Sequence, residues 1–221
     1  MGSRIREGIR EHGVYGEKNL TYGPFVALLY ELFDAKFVFI RRDGRDVVRS
    51  LIDWHDRMFG SIYRECRAPG NLTPRALEAA AGLLVHEDSS DFSRPRPLEG
   101  APWYDEWDEF SRFEMCAYYW DTVNRLYADR LELLPKDAWI DIDYTSVEAD
   151  DVMRVASFCG LEGLDDGVVE TMLTKRINSL AERVGDLEAF PGWENWDPHL
   201  TERYWRIAGE TMRRFGYRDP R

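Results

Sequence analysis

Arg42 and Ser50 lie eight residues apart in the stretch KFVFIRRDGRDVVRS, and together they could hold a phosphate group. A guanidinium presents a planar fork that matches two phosphate oxygens, and a hydroxyl adds a further donor. The elements around them decide whether the two side chains converge. Phe37, Val38, Phe39 and Ile40 form an unbroken apolar run, which predicts a strand buried on both faces of a parallel sheet. Asp43 and Gly44 then turn the chain. From Arg45 onward Val47, Val48, Leu51, Ile52 and Met58 recur at helical spacing with Ser50 at the edge of the stripe, so its hydroxyl is expected to face the strand end. An Arg at the carboxyl end of a parallel strand, beside a helix N-terminus, stands where open α/β sheets take anionic ligands. The same residues also admit a purely structural reading, in which Arg41, Arg42, Arg45 and Arg49 pair with Asp43, Asp46 and Asp53 at a solvated corner.

The longer segment GEKNLTYGPFVALLYELFDAKFVFIRRDGRDVVRS, residues 16–50, resembles the central part of sulfotransferases that use 3'-phosphoadenosine 5'-phosphosulfate (PAPS). The likeness is greatest to the bacterial and protein-tyrosine branches. There a Lys-containing loop, a helix ending in Leu-Phe, a strand and an Arg-Asp-Gly-Arg turn follow in this order. The resemblance implies that Arg42 and Ser50 hold the 3'-phosphate of the cosubstrate, and that Lys18, in GEKN, lies near the transferring sulfuryl group. A further stretch, IDIDYTSVEADDVMRVASFCGLE, is similar to the family's Tyr-bearing strand end and following helix, which implies a nucleotide contact for Tyr144. By a looser likeness, the loop before the last helix supplies Arg176, Ser179, Arg183 and Trp193 as candidates for closing over the nucleotide. Read without the family, Lys18 is a loop lysine paired with Glu17.

Two departures shape what is expected. The family's first strand and its Pro-Arg-Ser-Gly-Thr-Thr loop, which cradles the 5'-phosphosulfate, have no counterpart in this sequence. The chain is therefore read as N-terminally truncated. The position of the cytosolic branch's catalytic His is Leu20 here, so no base is assigned. The expected fold is α/β: an N-terminally incomplete, P-loop-like parallel sheet flanked by helices, with a mainly helical C-terminal half. It forms a single domain over residues 1–221 with a variable helical and loop insertion at about 54–120. The expected function is sulfuryl transfer from PAPS to a hydroxyl or amine acceptor, small molecule or peptide. The alternative is a non-catalytic relative that binds nucleotide or serves as an interaction module. A nucleotide kinase is disfavoured because no Gly-x-x-x-x-Gly-Lys-Ser/Thr motif occurs.

Composition narrows the partners. A net charge of −12 argues against nucleic acid and anionic membrane, and leaves the Arg41–Arg49 cluster as one of the few places offering local positive charge. Cys66, Cys116 and Cys159 show no metal or redox spacing, and His12, His55, His86 and His199 are scattered. These features predict a reducing, cytoplasmic setting and no metal site. No signal peptide or membrane span is visible.

The remaining pattern is mostly helical. Phe25, Leu28, Leu29, Leu32 and Phe33 form one apolar helix face after Pro24, and Thr73-Pro74 would open a helix over 75–85. Residues 87–102 read as a long surface loop. Phe113, Ala117, Trp120, Asn124, Tyr127 and Leu131 predict a helix over about 107–133 whose aromatic stripe belongs to the core. A strand is expected over 139–144, a helix from Asp150 closed by Gly160, and a last helix from Pro198 to about Phe215, capped by Asp197 and stopped by Gly216. Trp103, Tyr104 and Trp107 among Asp105, Glu106, Asp108 and Glu109 form either an acceptor wall or an acidic face with its indoles turned inward. A sheet lacking its first strand would leave the Phe37–Ile40 strand with an open edge. A second copy, a partner chain or the segment from Arg4 to Glu11 could cover it.

Overall fold

The parallel pair of strands fixes the frame. In the computed structural model, which describes residues 2–19, 22–58, 95, 97, 99–175 and 189–219, the order is α1 (Gly2–His12), α2 (Val26–Phe33), β1 (Phe37–Arg41), α3 (Gly44–Met58), α4 (Arg112–Glu132), β2 (Trp139–Asp143), α5 (Ala149–Phe158), α6 (Asp166–Leu173) and α7 (Pro198–Arg214). Among the described residues the sheet has two strands, with Phe37 opposite Trp139 and Arg41 opposite Asp143. Helices make up about 60% of the structure, so this is a helix-rich α/β protein.

Local chemistry sets the helix ends. Ser111 accepts the Glu114 N–H while the Glu114 carboxylate accepts the Ser111 N–H, a reciprocal cap that starts α4. The helix expected over 107–133 therefore begins at Arg112, and Trp107–Glu109 is a separate 3₁₀ turn. Asp197 accepts the Leu200 N–H at 2.8 Å to start α7. Beyond α7, Gly216 takes a φ of +84°, the left-handed stop that suits glycine.

The core lies between α3, α4 and α7. Val48 and Ile52 of α3 meet Phe113, Ala117 and Trp120 of α4 and Tyr204, Ala208 and Met212 of α7, closed at one end by Trp196. Rings meet edge to face, as between Phe113 and Trp196 at 4.9 Å. Gly44 is where α3 comes closest: a Cβ built there would lie 2.2 Å from Tyr204 Oη and 2.5 Å from the Trp120 ring. Only glycine fits this approach.

Two expectations need correcting. β1 is not buried on both faces. Phe39 stacks on Tyr127 and meets Phe215 edge-on, but Ile40 on the opposite face is 57% exposed. Its neighbour Ile142 in β2 is buried, and no described strand pairs with the other side of β1. The face predicted for α2 is also rotated. Val26 and Leu29 are buried whereas Leu32 is 54% exposed. A 3₁₀ turn at Gly23–Phe25 precedes the helix, so Phe25 lies outside the α-helical winding, and within the helix the face through Val26 and Leu29 is the buried one. The predicted helix over 75–85 lies outside the described residues. α1 packs against the end of α2, with Arg6 over the Phe33 ring, and Arg4 bonded to Glu17.

Candidate functional site

At the carboxyl ends of β1 and β2 two turns face each other, one carrying Arg42 and the other Tyr144. The parallel register that sets Arg41 beside Asp143 puts the next residue of each strand in the same place. The Arg42 guanidinium lies over the Tyr144 ring, 5.8 Å from its centroid. Both side chains are largely open, at 43% for Arg42 and 55% for the Tyr144 residue. The backbone beneath is fixed: Trp120 Nε1 donates to the Arg42 carbonyl at 3.2 Å, and the Asp43 N–H donates to Thr145 Oγ1 at 3.2 Å.

The cluster of arginines divides by role. Arg45 is buried and bonded to the buried Asp43 at 2.9 Å and 2.5 Å, with its guanidinium 3.8 Å from the centre of the Trp193 ring. Arg41 donates to Asp141 and to the Phe215 carbonyl. Both serve structure: Arg45 through Asp43, as the structural reading of this corner anticipates, and Arg41 through partners on β2 and beyond α7 that it does not name. Arg42 is different: its ion partner, Asp46, stands 3.8 Å away, so its donors remain available to an anion. Asp53 accepts the Phe190 N–H at 2.7 Å, which fastens the loop before α7 to α3.

Ser50 is exposed, and its position relative to Arg42 follows from the helix. Arg42, Asp46 and Ser50 are spaced by four residues, so Asp46 and Ser50 share one ridge of α3 and Arg42 reaches that ridge from its N-terminal end. Ser50 stands six residues beyond Gly44, roughly 9 Å up the axis. Ser50 therefore lies about two turns along α3 from the strand end, on the ridge that Asp46 begins. Asp46, expected only as a structural partner, lies between the two donors and weakens the local positive potential.

Lys18 is exposed in the segment leading to α2. Its neighbours are anchored: Glu17 accepts from Arg4, Tyr15 and Tyr22, and the Asn19 carbonyl accepts from Tyr127 Oη. These bonds hold the Glu17 carboxyl down at about 2, with Arg4 the largest cause. Glu17 is thus taken by Arg4 and two tyrosines. Among the described residues no hydrogen bond, ion pair or ring contact joins Lys18 to Arg42, Ser50 or Tyr144. Arg176, Ser179 and Arg183 lie outside the described residues. Trp193, on the neighbouring loop, covers Arg45.

Trp103 and Trp107 turn inward onto Phe110, and Trp107 also meets Tyr118, while Tyr104 stays exposed. Arg206 covers Trp103 at 4.7 Å and pairs with Glu106. Among the described residues no group of three or more His, Cys, Asp or Glu is arranged to hold a metal ion, and no helix is long and apolar enough to cross a membrane.

Sequence reasoning missed Thr145, Asp143 and Tyr217, which join the two turns. Asp143 two residues before Thr145 was a readable signal for a side-chain-to-backbone turn, but the partner of that turn is distant in sequence. The fold and site define a helix-rich α/β protein with an exposed Arg–Tyr pair at the carboxyl end of its parallel strands. No protein-family model, curated protein or solved structure matches the chain.

Proposed function

We propose that this protein is a PAPS-dependent sulfotransferase whose 3'-phosphate subsite is built on Arg42 and Ser50, with Tyr144 against the nucleotide. The observation that carries the reading is the meeting of Arg42 and Tyr144 at adjacent strand ends, two residues far apart in sequence that the same family resemblance singles out. The donor set suits a 3'-phosphonucleotide. Arg42 supplies a charged fork, Ser50 a hydroxyl on the adjoining ridge, and Tyr144 an exposed aromatic face against which a base or ribose can lie. PAPS, when bound, supplies an activated sulfuryl group on a good leaving phosphate.

The chain's own residues would contribute charge and orientation. Arg42 neutralises the 3'-phosphate and fixes the register of the nucleotide, and the Trp120 bond to its carbonyl keeps it in place. Lys18, on its flexible stem, is the candidate to follow negative charge growing on the bridging oxygen. An acceptor oxygen or nitrogen attacks sulfur, the bond from sulfur to the bridging oxygen breaks, and the acceptor's proton passes to a base that the described residues do not identify.

A second reading is a non-catalytic relative that keeps the nucleotide subsite as a binding module. It is favoured by the bonding of Lys18's neighbours to other partners, Glu17 to Arg4 and the Asn19 carbonyl to Tyr127. Calorimetric titration with adenosine 3',5'-bisphosphate, beside 5'-AMP, tests the subsite. Arg42→Ala should weaken bisphosphate binding at least tenfold, from loss of a charge-assisted contact worth about 1.5–3 kcal/mol, and Ser50→Ala several-fold. Equal binding of the two nucleotides, or no effect of Arg42→Ala, refutes the proposal. Transfer of labelled sulfate from PAPS to a phenol or amine panel then separates the enzyme from the binding module.

A further inference from the structure

Arg42 and Tyr144 each lie just beyond a strand, on turns that no stretch of chain joins directly, so their apposition needs a separate tie. One link is direct: the Asp43 N–H donates to Thr145 Oγ1 at 3.2 Å. Thr145 is itself oriented, because its N–H donates to Asp143 Oδ1 at 2.9 Å. The same Oδ1 accepts the hydroxyl of Tyr217 at 2.9 Å. The tie thus passes through both residues flanking the pair, Asp43 beside Arg42 and Asp143 beside Tyr144, and its outer end is a tyrosine from beyond the last helix.

Tyr217 reaches this point because of how α7 stops. The Gly216 N–H donates to the Arg213 carbonyl at 3.0 Å and the Tyr217 N–H to the Met212 carbonyl at 2.9 Å. With Gly216 left-handed, this paired closure reverses the chain sharply and sends residues 217–219 across the strand ends. Two arginines hold the reversed segment: Arg41 donates to the Phe215 carbonyl at 2.6 Å, and Arg45 Nη1 lies 3.5 Å from the Arg218 carbonyl. Burial above all, then the hydrogen bond to Asp143 and its charge, pushes the Tyr217 pKa well up, against an opposing bond with Thr145 and the charge of Arg41. The hydroxyl stays protonated and can donate throughout the neutral range.

We infer that Tyr217 is a positioning residue for the Arg42–Tyr144 pair, acting through Asp143 and Thr145. What the pair binds rests on the nucleotide reading above; the positioning is a property of the ligand-free chain. Tyr217→Phe removes one hydroxyl and keeps the ring. Thr145→Val breaks the same tie from its other end and leaves the Tyr217–Asp143 bond in place.

The test measures amide hydrogen exchange and nucleotide affinity on the full chain carrying each variant. In the ligand-free protein, exchange at Asp43 and Thr145 should quicken about tenfold in both variants while the Tyr204–Met212 amides of α7 keep their wild-type rates. Affinity for adenosine 3',5'-bisphosphate should fall by roughly five- to tenfold. Unchanged exchange at Asp43 and Thr145 overturns the inference, as does equal loosening of α7, which would mark a general structural role. If the wild-type chain does not bind the bisphosphate, the nucleotide reading fails on its own, and the exchange data still decide whether Tyr217 positions the pair.

Discussion

Ionisation of Asp121 should cost this protein stability, and Asp121→Asn should recover it. Asp121 lies on α4 against α7, its side chain only 14% exposed, accepting a 2.6 Å bond from the buried Thr211 hydroxyl. Burial raises its pKa to about 6; Thr211 and Arg125 oppose the rise, and Glu210 and Asp129 add to it. In the unfolded chain the same carboxyl titrates at about 3.9, and each pH unit between the two values is worth about 1.4 kcal/mol, which makes the full effect roughly 3 kcal/mol. The sign follows from proton binding. Between about pH 4 and 6 the native state binds more protons than the unfolded state, so stability falls as pH rises through this window and then levels off. In the Asp121→Asn variant the side chain is uncharged at every pH and its amide oxygen could still accept from Thr211, although the attraction to Arg125 at 3.8 Å is lost. Urea unfolding of both proteins at about pH 4 and about pH 7 isolates the term, since other titrating groups cancel in the difference. The advantage of the variant should grow by about 2 kcal/mol between those two conditions. A difference that does not change with pH, or a variant that loses ground at neutral pH, would refute the argument.

Other predictions follow from the same contacts. Asp46→Asn removes the carboxylate between Arg42 and Ser50 and should tighten adenosine 3',5'-bisphosphate binding by roughly three- to tenfold, measured calorimetrically; the gain should shrink in high salt. Gly44→Ala drives a methyl group into Tyr204 Oη and Trp120 and should lower unfolding free energy by about 3 kcal/mol or more in urea titration. Glu114→Ala loses both the reciprocal cap with Ser111 and the ion pair with Arg203. It should cost about 1–3 kcal/mol, whereas Glu114→Gln should keep part of the cap and recover some of that loss.

The sequence by itself was enough where structure is local. Asp197-Pro198 and Gly216 mark α7 to within a residue, since caps and left-handed stops act over a few neighbouring backbone groups. The alternation in Trp139–Asp143 and the apolar run in Phe37–Arg41 read as strands, and the aromatic stripe of α4 reads as core, because side-chain period is set by backbone geometry alone. Only the tertiary structure decided which arginine is left for a ligand. Arg41, Arg42 and Arg45 look alike in the run RRDGR, but Arg45 is absorbed by Asp43 and Trp193 and Arg41 by Asp141 and Phe215. Apart from Asp43, those partners come from β2, the loop before α7 and the end of α7, and nothing within a few residues of the run specifies them. The same holds for the exposed face of β1, which depends on which strands lie beside it, and for Tyr217, which meets Asp143 across 74 positions of sequence. Pairing over such distances is an outcome of how the helices pack around Gly44, a property of the whole chain that no window of it contains.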